Sequence, residues 1–338
     1  MNLDELAEHL DLSKTTVSRA LAGYSDVSAK TRERVQEAAK AHSYQPNQLA
    51  QRLRSGRLDT VGLIIPSDLR PFGDAFFVDQ VTHLSRTLAD HGLDLLLSAA
   101  DRGDAELVAL RRMVEGRRVD AMIVVRTLRQ DRKVDYLLGQ KIPFVCHGRT
   151  ENVRGYAFVD MDGEAAGRMA TEKLIELGHR TIAFIGPPSS NLTFAWHRQS
   201  GYAATLKAAG IPVRQDLIRE GEGGEAFGAA ATKRLLDQSN PPSAVVCATD
   251  LEAIGALRAI TDAGLTAGHD LSVIGHDDLP EASLTHPPLA TVRQPHAAVG
   301  ARLAEIVSRL AKGENPEDYQ EIWQPQLIIR QSLGKAPD

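Results

Sequence analysis

Cysteine and aromatic side chains are scarce in this 338-residue chain: two Cys, two Trp, six Tyr and eight Phe. Cys146 in "PFVCHG" and Cys247 in "AVVCATD" lie about a hundred residues apart in apolar runs, which reads as two buried free thiols and not as a disulfide framework. No run of about 18 apolar residues occurs, so no transmembrane helix is expected. The opening "MNLDELAEHL" is acidic and amphipathic and lacks the basic start and apolar centre of an export signal; the expected location is therefore the cytoplasm. Catalytic signatures are missing too. "DMDGE" (160–164) has too few oxygens for a calcium loop, "GEGGEAFG" (221–228) lacks dinucleotide spacing, and no Ser sits in a nucleophile elbow. Neither an enzyme nor a metal or cofactor is expected.

What charge there is has been sorted along the chain. The net value is -5, yet between Leu12 and Arg57 nine basic residues face only Asp26, Glu33 and Glu37, a local +6 that leaves -11 elsewhere. An acidic protein with one basic end is expected to use that end on nucleic acid.

Three short helices account for the basic end. Asn2 can cap the first, with Glu5 completing a capping box and Leu3, Leu6 and Leu10 on one face. Ser13 can cap a second, "SKTTVSRALAG", whose Val17 and Leu21 are spaced i, i+4 and whose Gly23 suits a C-cap. Ser28 starts a third through "AKTRERVQEAAKAHSY". Leu6, Leu10, Val17, Leu21, Val27 and Val35 are the expected core of a helix-turn-helix head. "QPNQLAQRLRSG" (45–56) then offers about eight helical residues, too few to be stable alone in water, so it needs a partner to fold.

From Thr60 the texture changes to short apolar runs alternating with helical stretches. The expected strands are "TVGLIIP" (60–66), "DLLLSAA" (94–100), "VDAMIVV" (119–125), "PFVCHG" (143–148), "YAFVD" (156–160), "TIAFIGP" (181–187), "DLIREG" (216–221), "SAVVCATD" (243–250), "LSVIGHDD" (271–278) and "LATVRQP" (289–295). Continuous apolar strands separated by helices indicate an α/β chain of parallel sheets covered on both faces. "TVGLIIPS" and "TIAFIGPP" echo each other about 121 residues apart, which suits two doubly wound lobes. Ligands of such folds bind beyond the carboxyl ends of the strands, here between the lobes.

The stretches "LAEHLDLSKTTVSRALAG", "VSAKTRERVQEAAKAHSYQPNQLAQRL", "LIELGHRTIAFIGPP", "ATDLEAIGAL", "DLSVIGHDD" and "PLATVRQP" resemble, in order and spacing, the lactose-repressor/galactose-repressor (LacI/GalR) family of bacterial transcription regulators. The resemblance implies a head (1–45), a hinge helix and linker (46–58) and a periplasmic-binding-protein-like core (59–338). Lobe 1 is expected over about 59–161 plus 290–318, and lobe 2 over about 162–289 plus 319–331. It further implies a homodimer on a near-palindromic double-stranded operator in the nucleoid, repressing carbohydrate genes under control of a sugar or glycoside. No C-terminal heptad segment follows "LIIRQSLG", which favours a dimer over a tetramer.

By the same resemblance Lys14 and Thr15 read bases in the major groove, Ser13, Thr16, Ser18 and Arg19 anchor the backbone or read adjacent bases, and Asn47, Ala50 and Leu53 enter the minor groove, Leu53 as a wedge. Hydroxyls, Arg and a helix N-terminus suit phosphate on physical grounds as well. Ala22 departs from the Asn of many relatives, so the operator code does not transfer whole. For the cleft the nominated residues are Phe76, Phe77, His147, Asp160, Phe194, Trp196, Arg198, Thr249, Asp250 and Asp277: aromatics to stack on sugar faces, Asp and Arg to hold hydroxyls. Asp250 also reads as a structural residue at the start of a helix, and Thr249 departs from a frequent Asn. A purine-type corepressor is the alternative effector; a transporter's solute-binding protein and an enzyme are the alternative classes.

Overall fold

A computed structural model describes residues 1–21, 23–44, 56–67 and 75–337, without the side chains of 75–77. The hinge residues Asn47, Ala50 and Leu53, together with Ala22 and the Phe76 and Phe77 side chains, lie outside the described residues. The chain divides into two units, Met1–Leu58 and Asp59–Asp338.

The head holds α1 (Leu3–His9), α2 (Lys14–Leu21) and α3 (Ala29–Ala41). The expected caps are made: Asn2 and Glu5 bond reciprocally, Ser13 Oγ accepts the Thr16 amide at 3.0 Å, and Ser28 Oγ accepts that of Thr31 at 3.2 Å. Leu6, Leu10, Val17, Val27 and Val35 are buried with Ala7, Ala20 and Ala39. Leu21 is only half-buried, because Ala20 takes the innermost position of α2.

The core builds two sheets, each of six strands among the described residues. The first comprises β1 (Thr60–Pro66), β2 (Asp94–Ala100), β3 (Ala121–Val124), β4 (Phe144–His147), β5 (Ala157–Met161) and β11 (Gln320–Trp323), in the order β11-β5-β4-β3-β1-β2. The second comprises β6 (Ile182–Gly186), β7 (Ile218–Glu220), β8 (Ala244–Cys247), β9 (Ser272–Asp277), β10 (Ala290–Arg293) and β12 (Gln326–Ile328), in the order β12-β10-β9-β8-β6-β7. The two orders match position for position, and the echoing strands β1 and β6 hold the same place in each. Pairing is parallel except for β12 on β10, an antiparallel edge that the sequence reading lacked.

Helices cover both faces. In lobe 1, α4 (Ala75–Asp90) and α11 (His296–Leu310) lie over one core, with Leu84, Leu88, Val299 and Leu303, while α5 (Asp104–Glu115) and α6 (Arg132–Gln140) lie over the other, with Leu110, Met113 and Leu137. In lobe 2 the corresponding pairs are α7 (Gly163–Glu176) with α8 (Thr193–Ala208), and α9 (Gly224–Leu236) with α10 (Asp250–Asp262).

The lobe boundaries differ from expectation near the C-terminus. Strand 290–293, assigned in advance to lobe 1, pairs with β9 and fills the lobe 2 core through Ala290 and Val292; strand 320–323, assigned to lobe 2, pairs with β5 in lobe 1. Hydrophobic patterning marks a strand but not its neighbour, and here the neighbour decides the lobe. The chain therefore crosses between lobes after β5, after β10 and after β11.

Candidate nucleic-acid interface and ligand cleft

In α2, Val17 and Ala20 point into the core, which turns Ser13, Lys14 and Thr15 outward and leaves Thr16, Ser18 and Arg19 half-exposed. The helix start is fixed by Ser13, whose Oγ lies 2.8 Å from Thr16 Oγ1. Lys14 Nζ sits 2.5 Å from Asp4 Oδ1 of α1. Arg19 meets Asp26 through both Nε (3.2 Å) and Nη2 (2.5 Å) and lies over the Tyr24 ring at 4.7 Å. Two other basic residues brace the turns: Arg34 donates to the Leu10 carbonyl, and Arg32 donates to those of Tyr24 and Val27. The six nominated residues of 13–19 thus lie on or beside one short helix, with its N-terminus and two cations at the surface.

The second cluster lies between the lobes, around Arg198. Helix α8 carries Phe194 and Arg198 one turn apart, so the Arg198 guanidinium lies 4.9 Å from the Phe194 ring, with Arg126 of lobe 1 at 5.7 Å. Arg198 is buried; it donates to the Ala248 carbonyl and, at 3.4 Å, to Asp277 Oδ1. Burial pulls its guanidinium below the ordinary arginine range, against Asp277, Glu252, Asp160 and Asp250. Asp277 ends β9 with φ 115°, followed by Asp278 at φ 58°, a left-handed pair of non-glycine residues of the kind that collects at functional sites. Its carboxylate also accepts Gln294 Nε2, and its carbonyl accepts His296 Nε2 at 2.8 Å.

From lobe 1, His147 ends β4 with Nδ1 2.9 Å from the Gln80 amide nitrogen, and burial with nearby His296 and Arg198 lowers its pKa to about 4, so it is neutral. Asp160 is the penultimate residue of β5 and lies 3.0 Å from Arg149 Nη1. Burial lifts its carboxyl to about 6 despite Arg149. The folded chain therefore holds this proton more tightly than the unfolded chain, where the value is 3.8, so Asp160 contributes stability that is fully present below about pH 3.8 and lost as pH rises through 6. Asp160→Asn abolishes that titration. Its stability relative to the parent is expected to rise by about 2–3 kcal/mol between pH 4 and pH 8. Melting curves check this, and a pH-independent difference would refute it.

Not every nominated residue joins this cluster. Trp196, two residues from Phe194, points to the other side of α8, where it packs on Arg129 at 4.7 Å and on His197. The Thr249 hydroxyl donates to Glu252. Asp250 is wholly buried and accepts the Leu279 amide (2.8 Å) and the Thr291 hydroxyl (2.6 Å), so it holds the turn after Asp277 from behind. Gly275 makes room for it, since a Cβ there would fall 2.2 Å from Asp250 Oδ1. Gln80, Arg126, Arg149, Gln294 and His296 were missed. Of these, "RQPH" (293–296) follows a recognisable strand end, the one signal that pointed to Gln294 and His296. Away from the crossovers the lobes also touch through a Leu128–Leu192 bridge, and the Thr127 carbonyl accepts the Thr193 amide and hydroxyl.

Comparison with known proteins agrees with both halves. Residues 2–47 match the family described as "Bacterial regulatory proteins, lacI family", and residues 171–333 match the "Periplasmic binding protein-like domain". The chain is 38% identical over 346 residues to the HTH-type transcriptional regulator AglR of Rhizobium meliloti, covering 100% of this chain and 96% of AglR. A "transcriptional regulator CelR-cellobiose complex" superposes with TM-score 0.76 at 30% identity, over 98% of this chain and 99% of the other. The lac repressor dimer bound to operator and the anti-inducer ONPF gives TM-score 0.82 at 27% identity, over 97% of each chain. Among the described residues no helix is long and apolar enough to cross a membrane. The chain belongs to the lacI family of bacterial regulatory proteins, and it is a DNA-binding transcriptional regulator, not an enzyme.

Proposed function

We propose that this regulator acts as a dimeric repressor of carbohydrate genes in the cytoplasm, bound to nucleoid DNA through α2 and the hinge, and that a neutral sugar or glycoside between the lobes controls it. The observation that carries the effector class is the Arg198–Asp277–Gln294 cluster at the strand ends. A guanidinium, a carboxylate and an amide side by side, with cation and anion balanced, suit vicinal hydroxyls better than a charged ligand. The cellobiose held by the CelR structure supports the same class. In this reading the second copy packs against the β2 edge of lobe 1, a proposal supported by the exposure of Leu97 and, on the following helix, of Val108.

Thermal-shift screening of the whole chain against glucosides, galactosides and nucleobases tests the effector class. Stabilisation by nucleobases alone would replace the sugar reading by a purine one. For the hinge, Leu53→Ala is expected to weaken binding to a duplex selected from a random pool by at least about tenfold, because the unstacking wedge is lost, while the core melts unchanged. Equal affinity at fixed salt would remove the wedge.

A further inference from the structure

The two cations of the recognition helix are each engaged by a carboxylate of the same head. We propose that Asp4 and Asp26 are built-in competitors of DNA phosphate, holding Lys14 and Arg19 so that sequence-independent binding is weakened. This rests on the reading that α2 faces DNA.

Neither pair is forced by packing. Lys14 and Asp4 side chains are 63% and 55% exposed, and those of Arg19 and Asp26 are 40% and 56% exposed, so each contact is a choice among solvent, DNA and the acid. Nor does either carboxylate serve as the cap of its helix. The α1 cap is Asn2, whose side chain accepts the Asp4 and Glu5 amides, and the α3 cap is Ser28. Asp4 is thus free to reach 2.5 Å from Lys14, and Asp26 meets the Arg19 fork with both oxygens. Glu8 and Asp11 line the same surface depression as Asp4, Ser13 and Lys14, so the flank of the α2 N-terminus is acidic on an otherwise basic head.

Binding to arbitrary duplex draws its free energy from phosphates neutralised by Lys and Arg. A cation already paired within the head adds little to that sum. At a matching site Lys14, the expected base reader, gains directed acceptors on base edges in addition to the phosphates that any duplex offers, so such a site draws the side chain from its acid more readily than arbitrary DNA does. The acids therefore lower background occupancy more than operator occupancy.

The test uses the full chain and a short duplex of scrambled sequence, titrated by fluorescence anisotropy over a salt series. Asp4→Asn and Asp26→Asn are each expected to tighten binding about two- to fivefold. The slope of log K against log salt should steepen by about 0.9 per cation released. Asp11→Asn makes the same charge change on the same surface without touching the Lys14 pair, and it should give a smaller gain with no change of slope. In a Lys14→Met background the Asp4→Asn gain should shrink to that of Asp11→Asn. A gain that survives there, or one no larger than the Asp11→Asn control, means general charge and overturns the proposal. Weaker binding by Asp4→Asn means that Asp4 itself contacts DNA and overturns it as well. On a matching duplex selected from a random pool, Lys14→Met and Arg19→Met binding as tightly as the parent would show instead that α2 does not face DNA, which sinks the underlying reading and the proposal with it.

Discussion

Arg198→Met is expected to lower the affinity for whichever sugar stabilises the parent protein by roughly 100-fold, about 3 kcal/mol, and so to leave a repressor that no longer responds to it. The side chain is buried and links α8 to β9 through Asp277 and to the end of β8 through the Ala248 carbonyl. Methionine keeps most of the volume and none of the donors. The Asp277 carboxylate keeps Gln294 but loses the Arg198 contact, so a fall in melting temperature should accompany the loss of response. Dimer binding to DNA at a temperature where the variant is folded should persist, because Arg198 belongs to the core unit and not to the head. The decisive measurement is the ligand-induced thermal shift. An undiminished shift would mean that the sugar does not use Arg198, and the cleft would have to be reassigned to other residues.

Arg198 and Asp277 were nominated from the sequence because Arg198 of "TFAWHRQSGY" matches the ligand-clamping arginine of the family it resembles and Asp277 ends the strand in "VIGHDD". The ten expected strands were legible as short runs between helical stretches, most of them continuously apolar, the exception being "DLIREG" with only Leu217 and Ile218 apolar. β11 and β12 were not, since "QEIW" and "QLI" are short and at most half-buried edge strands with little burial to leave a pattern. Trp196 could have been separated from Phe194 on paper, because residues two apart on a helix cannot share a face. Asp250 could not. A carboxylate that contacts a ligand and one that braces the contacting turn look alike until their hydrogen-bond partners are known, here the Leu279 amide and the Thr291 hydroxyl. Lys14 was read correctly as an outward cation, but its engagement by Asp4 depends on how α1 crosses α2, which no spacing in either helix specifies.

The helix crossing beneath Arg198 yields the other large expected effect. Gly167 of α7 lies against the Arg198 carbonyl, and Gly201 of α8 lies against that of Glu164, so the two helices touch backbone to backbone. A Cβ added at Gly167 would fall 2.0 Å from the Arg198 oxygen and 2.9 Å from its carbon. No rotamer relieves a clash between a Cβ and a backbone, so α7 and α8 must move apart and open the core that Ala166, Ala170, Tyr202 and Leu206 fill. Gly167→Ala is expected to cost about 3–4 kcal/mol, the upper end of overpacking, and to weaken sugar binding in the fraction that still folds, because the atom displaced is Arg198's own backbone. Gly139→Ala is the internal control. It lies in α6 with nothing within 4 Å of the added Cβ, so it should be neutral or stabilise by about 0.5–1 kcal/mol through helix propensity. Denaturant unfolding of the two variants separates packing from propensity. If Gly167→Ala unfolded at the same midpoint as Gly139→Ala, the close crossing would not be what fixes α8, and the position of Arg198 would have to be set by its bonds to Ala248 and Asp277 alone.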